Sequence, residues 1–117
     1  MKYQFEDLIV WQKGMELVEQ AYSLTKKFPK DEQFGLISQM RRSAVSVPAN
    51  IAEGKGRYHS KEFIHFLYTS RGSLYELMTL TKLSRKLDYM TEKDVDKLLI
   101  LCWHISGGLN GLINSIK

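Results

Sequence analysis

Apolar residues in this chain recur at alternating steps of three and four, and no stretch alternates convincingly at period two. The pattern is strictest near the end, at Val95, Leu98, Cys102, Ile105, Leu109, Leu112 and Ile116. Steps of three and four return a side chain to one face of an α-helix, so such a chain must fold as helices packed through their apolar stripes. The same spacing runs through Ile37, Met40, Ala44, Val47 and Ile51, with Pro48 set in its middle. A proline there removes a backbone donor and crowds the preceding turn. Because the apolar pattern continues past it, the expectation is a kink and not an end.

The first helix is expected over residues 7–28, with Glu6 and Asp7 at its positive end, Lys26 and Lys27 at its negative end, and Pro29 as its stop. Leu8, Trp11, Met15, Val18 and Tyr22 form one stripe, and Val10, Leu17, Ala21, Leu24 and Phe28 a second beside it. Two adjacent stripes make the wide apolar face of a bundle helix. The second helix is expected over residues 31–53, with Phe34, Leu36 and Ile37 opening its core face and Gly54 and Gly56 ending it. The third is expected over residues 60–87 with Ser60 as its cap. The fourth should run from Thr91, which has capping-box spacing to Asp94, to the end of the chain. Short connections between these helices give an all-α, antiparallel up-and-down four-helix bundle with a proline-kinked second helix. A chain of 117 residues makes this one domain over residues 1–117.

The third helix carries more apolar surface than one bundle needs. Phe63, Phe66, Leu67, Ser70, Leu74, Leu77 and Thr81 make a core stripe, whereas Ile64, Tyr68, Arg71, Tyr75, Met78 and Lys82 lie well over a quarter-turn away. Either the two tyrosines lie half-exposed along a groove, or this second stripe is a subunit interface, where Tyr, Arg and Met are enriched. The interface is the expectation carried forward. Gly107, Gly108 and Gly111 fall inside the fourth helix, where each costs about 1 kcal/mol relative to alanine. Close backbone approach at Gly107 and Gly111 is one explanation, and a frayed helix the other.

Little in the sequence supports catalysis. Glu62 and His65 have the Glu-x-x-His spacing of half a di-iron carboxylate site, but neither His59 nor His104 has a glutamate three residues earlier to supply the other half. No metal site is therefore expected. No serine, histidine and acid suggest a triad, and Gly54-Lys55-Gly56 lacks the rest of a phosphate loop. The expectation is a protein that is not an enzyme, with no catalytic residue and no cofactor. Cys102 is the only cysteine, so no internal disulfide can form and the chain reads as cytoplasmic; its place on an apolar stripe predicts a buried, inert thiol. No secretory signal is visible before Glu6 and Asp7. The longest unbroken apolar run, Leu98 to Trp103, is far short of a membrane span, so no membrane partner is expected.

A net charge of +4 and an isoelectric point near 9.2 are compatible with an acidic partner. Arg41, Arg42, Lys55, Arg57, His59 and Lys61 flank the Pro48 segment, with Tyr58 among them. Basic residues interleaved with an aromatic and flexible glycines can hold phosphates and stack a base. Arg41, Arg42, Lys55, Arg57, Tyr58 and Lys61 are thus the candidate nucleic-acid-binding set. The competing reading is a solvated face with local pairs such as Glu53 to Arg57. In that reading Arg42 and Asn50 bond backbone groups freed around Pro48, which makes Pro48 and Asn50 structural.

Several of these residues also form a recognisable pattern. Phe5-Glu6-Asp7-Leu8 and Val10-Trp11-Gln12-Lys13 resemble the opening of the four-helix-bundle family of 23S rRNA intervening-sequence proteins. Phe28-Pro29, Phe34-Gly35-Leu36, Gln39, Arg41-Arg42, Ser46-Val47-Pro48, Asn50-Ile51-Ala52-Glu53-Gly54 and Gly56-Arg57 resemble its central signature. Glu62-Phe63, Phe66-Leu67, Gly72-Ser73-Leu74 and Glu76-Leu77 continue it, while Gly14 and Met78 depart from the commoner Ala and Glu. The resemblance implies a bacterial, cytoplasmic bundle that assembles into a ring, typically a homopentamer. Some relatives are encoded inside intervening sequences of rRNA genes. A similar protein, the accessory variability determinant of diversity-generating retroelements, binds nucleic acid and a reverse transcriptase. The expected function is a non-enzymatic homo-oligomer that binds RNA or DNA through its basic surface. The alternative is a protein-interaction scaffold or accessory protein without nucleic-acid contact, its partner a reverse transcriptase or another protein.

Overall fold

Four α-helices and no strand make up the structure, a computed structural model that describes all 117 residues: α1 (Ile9–Thr25), α2 (Leu36–Lys55), α3 (Ser60–Lys86) and α4 (Glu92–Ile116). Each helix packs on the next, and α4 closes back on α1. Ser46 meets Ser73 while Val47 meets Ser70, and Tyr75 meets Ser106 while Arg71 meets Asn110. Position rises along one helix as it falls along its neighbour, so the bundle is antiparallel, as the short connections require.

The core is built from the residues that the spacing marks. Leu17, Ala21, Met40, Ala44, Val47, Ile51, Leu67, Leu74, Leu77, Leu98, Cys102, Ile105 and Leu109 have no exposed surface. Each fully buried Leu, Ile or Val contributes about 1.5–3 kcal/mol. On α1, Val10, Gly14, Leu17, Ala21 and Thr25 face inward, whereas Met15 and Tyr22 of the other stripe remain largely exposed. On α4 the seam turns. Ile113 is buried near the C-terminus and Leu112 and Ile116 slip to its flank. A strict seven-residue repeat drifts about 20° per heptad on a straight helix, which over three heptads re-aims the last positions. By length and composition alone α4 is apolar enough to cross a membrane, although its apolar seam lies in the bundle core.

Helix ends differ from the expected bounds for local reasons. A 3₁₀ turn, Gln4–Asp7, precedes α1, with Leu8 extended between them. The Glu6 carboxylate accepts from the Tyr3 N–H, the Gln12 side chain donates to the Glu6 carbonyl, and Phe5 packs edge-on against Trp11. The first helix therefore starts at Ile9, not Asp7, and it stops at Thr25 before Phe28. The second begins at Leu36, not Asp31, because Lys30–Glu32 forms a separate 3₁₀ turn. Phe34 lies in that connection and is 92% exposed, so it does not open the core face. Glu32 supplies what the sequence reading lacked at this end. Its carboxylate accepts from the Leu36 N–H at 3.2 Å and from the Tyr89 hydroxyl at 3.1 Å, tying the start of α2 to the α3–α4 turn.

At the other end α2 runs through Gly54 to Lys55, so Gly54 does not terminate it. His59, not Ser60, is the N-cap of α3, and it makes no side-chain capping bond. The end of α3 is a Schellman turn. The Tyr89 N–H bonds the Ser84 carbonyl, the Asp88 N–H bonds the Arg85 carbonyl, and Asp88 takes the left-handed conformation with φ 63°. Thr91 caps α4 as its spacing suggests, accepting from the Asp94 N–H at 3.1 Å.

Candidate nucleic-acid interface

Gly54 is what brings the basic residues at the end of α2 onto α3. A Cβ at this position would sit 2.6 Å from Phe66 Cβ and 3.0 Å from Phe63 Cδ1, so any side chain would push the helices apart. With the backbones this close, Lys55 Nζ lies 5.5 Å from the centroid of the Phe63 ring and the Arg57 guanidinium 4.9 Å from that of Phe66. Arg57 also pairs with Glu53 at 3.3 Å, an exposed i,i+4 contact of the weak surface kind. Tyr58 is 94% exposed and meets the His59 ring edge-on. Arg57, His59, Lys61, Glu62, His65 and Phe66 line an open cleft of about 810 Å³.

Lys55, Arg57, Tyr58 and Lys61 are thus gathered at one end of the bundle. His65 and Phe66 join them, which the sequence reading missed. The signal was one helical turn of spacing from Lys61 and Glu62.

Arg41 and Arg42 lie elsewhere. Lys55 is thirteen residues beyond Arg42, about 20 Å along a helix rising 1.5 Å per residue. Arg41 is committed to the bundle. Its Nε donates to Thr25 Oγ1 at 2.9 Å, its Nη2 to the Tyr22 carbonyl at 3.4 Å, and its guanidinium lies over the Tyr22 ring. A cation at the carbonyl end of α1 also complements that helix's dipole. Arg42 is exposed, has neither an ion-pair nor a hydrogen-bond partner, and borders a polar cleft of about 410 Å³ between the middles of α2 and α3.

α2 passes through Pro48 without interruption. The ring is buried against α1, where a Cβ on Gly14 would come within 3.1 Å of Pro48 Cβ. Side chains add donors to carbonyls in the turn before it. Asn50 Nδ2 donates to the Ser46 carbonyl at 2.8 Å, and Ser70 Oγ donates to the Val47 carbonyl at 2.9 Å. Arg42 takes no part in this.

The second stripe of α3 lies along its groove with α4. Arg71 stacks on Tyr68 and Tyr75, and its Nη1 donates to Asn110 Oδ1 at 2.9 Å. The Tyr75 hydroxyl reaches Ser106 Oγ at 3.4 Å. Ile64 and Met78 are half-buried against the core, while Tyr68 and Tyr75 keep more than a third of their surface in solvent. On α4, Ile100 is 59% and Trp103 70% exposed. A Cβ on Gly107 or Gly111 would meet nothing within 4 Å, so within the chain neither glycine serves a close approach. That role belongs to Gly108, whose Cβ would fall 2.6 Å from Val10 Cγ1. Cys102 is buried, and desolvation pushes its thiol up to about 12, which leaves almost no thiolate at neutral pH.

Known proteins match the chain at the level of fold and family. No curated protein matches it. A crystal structure of a protein of unknown function from the S23 ribosomal protein family of Bacteroides thetaiotaomicron superposes with a TM-score of 0.84 at 22% identity, covering 91% of this chain and 96% of that one. At that identity the likeness shows the shared fold. Neither description names an enzymatic activity. Residues 6–111, nearly the whole bundle, match the family described as 23S rRNA-intervening sequence protein, and the chain belongs to that family.

Proposed function

We propose that this protein is a non-enzymatic homo-oligomer that binds nucleic acid through the basic end of the α2–α3 hairpin. One observation carries the reading: Lys55, Arg57, His59 and Lys61 surround a fully exposed tyrosine beside an open cleft, and Glu53 and Glu62 are the acidic residues nearest them in sequence. Arg57 is positioned over Phe66 and shares only one weak surface contact, with Glu53, which a phosphate can replace, and Tyr58 offers a face on which a base can stack. One copy presents few phosphate contacts. A ring, with five copies as the family resemblance implies, repeats them and converts weak contacts into useful affinity. The α3–α4 face with Tyr68, Arg71 and Tyr75 is the surface through which copies meet in this proposal.

Binding by phosphate contacts has a measurable signature, a logarithmic salt slope of about 0.7–0.9 per phosphate neutralised. Fluorescence anisotropy with labelled RNA and DNA across a salt series reads it directly. Wild type is expected to bind with a steep slope, and Arg57→Glu, shown folded by circular dichroism, to bind more weakly with a shallower one. Wild-type protein that binds neither polymer at low salt eliminates the reading. The second reading is a protein-interaction scaffold, favoured by the exposure of Ile100 and Trp103 on α4, a helix that carries none of the proposed nucleic-acid-binding residues.

A further inference from the structure

We propose that the polar cleft between the middles of α2 and α3 binds a ribose phosphate unit, with Arg42 on the phosphate and Glu76 on the ribose hydroxyls. The inference rests on the nucleic-acid reading above for its polymer, and on the cleft alone for its chemistry. The lining is Gln39, Arg42, Ser43 and Ser46 from α2 with Ser73 and Glu76 from α3, and no apolar side chain contributes. All but Ser43 belong to the stretches that carry the family resemblance.

Three features select the ligand. Arg42 and Glu76 border one cleft of about 410 Å³ without pairing to each other or to any other side chain. An anion alone would meet the carboxylate and a cation alone the guanidinium, so the cleft suits a ligand bearing both an anionic oxygen and hydroxyl donors. The floor is made of hydroxyls. Ser46 and Ser73 share a hydrogen bond at 2.8 Å, and Asn50 Nδ2 donates to Ser46 Oγ at 2.8 Å. Whichever serine donates within the pair, the other's proton stays available to a ligand oxygen. The lining also lacks any aromatic or apolar side chain, so an apolar ligand would gain nothing here. A sugar phosphate, polar throughout, fits that chemistry. In a polymer the contact to Glu76 would come from the 2′-hydroxyl, the group that separates RNA from DNA.

The test compares oligouridylate with oligodeoxyuridylate of equal length by anisotropy, and ribose 5-phosphate with 2-deoxyribose 5-phosphate by ligand-observed NMR. Wild type should prefer the RNA by about tenfold, the effect of one hydrogen bond to a charged group. Glu76→Gln should bring the ratio near one without weakening DNA binding, and Ser73→Ala should lower it part-way. Both positions border solvent, and circular dichroism checks that each variant folds. Equal RNA and DNA binding by wild type, or an unchanged ratio in Glu76→Gln, overturns the cleft while leaving nucleic-acid binding intact. If neither polymer binds but ribose 5-phosphate does, in a manner that Arg42→Gln abolishes, the function proposal fails and the cleft stands as a small-metabolite site. Binding of none of the four overturns both.

Discussion

The α2–α3 seam and the α3–α4 face are built on opposite principles. Along the first, small and polar residues let two backbones meet: Gly54 lies against Phe63 and Phe66, Ser46 against Ser73, and Ser70 bonds the Val47 carbonyl. The serines at the contact are satisfied within the chain, Ser46 by Ser73 and Ser70 by the Val47 carbonyl. Along the second, Tyr68 and Tyr75 lean on Arg71 at the groove, and Ile100 and Trp103 stand in solvent beside two glycines that nothing approaches. The first surface is complete in one chain. The second leaves apolar and aromatic side chains in solvent, and in the function proposed above it is the surface through which copies meet.

If that contrast is real, substitutions on the two surfaces should fail in different ways. The largest loss of fold stability belongs to the seam. Gly54→Ala drives a methyl into Phe66 and should cost about 1–3 kcal/mol in chemical denaturation, the usual range for overpacking. A cost near zero would mean the seam is loose. On the other face, Tyr68→Glu or Tyr75→Glu should leave helical circular dichroism intact and lower the assembled mass. Unfolding would instead place the tyrosines in the chain's own core. Smaller still, Gly107→Ala and Gly111→Ala should each stabilise the dissociated chain by up to about 1 kcal/mol, because a methyl meets no atom there. In the assembly the same methyls should weaken association, seen as a mass that falls on dilution. The least effect is expected at Cys102. Its raised thiol pKa predicts no reaction with a thiol reagent near pH 8 until the protein is unfolded.

The bundle was legible because a three-four spacing has one structural meaning, and Met40, Ala44, Val47 and Ile51 bury as it requires. Where it misled, a specific force intervened. The drift of a strict heptad moved Leu112 and Ile116 off the seam. Glu32, reaching forward to the Leu36 N–H, delayed the start of α2 and left Phe34 in solvent. Gly54 read as a helix stop because glycine is common there, but its neighbours on α3 set its role. At the candidate site, Lys55 to Lys61 are adjacent in sequence, so their grouping could be read directly. The separation of Arg41 from Arg42 could not. Adjacent residues on a helix point about 100° apart, so one arginine locks α1 to α2 while the other borders a cleft completed by Ser73 and Glu76. Such a cleft exists only once α2 and α3 pair.

The incompleteness of the α3–α4 face is tested most directly by the mass of the protein in solution. Multi-angle light scattering at micromolar concentration should give at least twice the 13.6 kDa mass of the chain, with Tyr75→Glu returning that mass to a single chain. A wild-type mass of one chain at that concentration would contradict it.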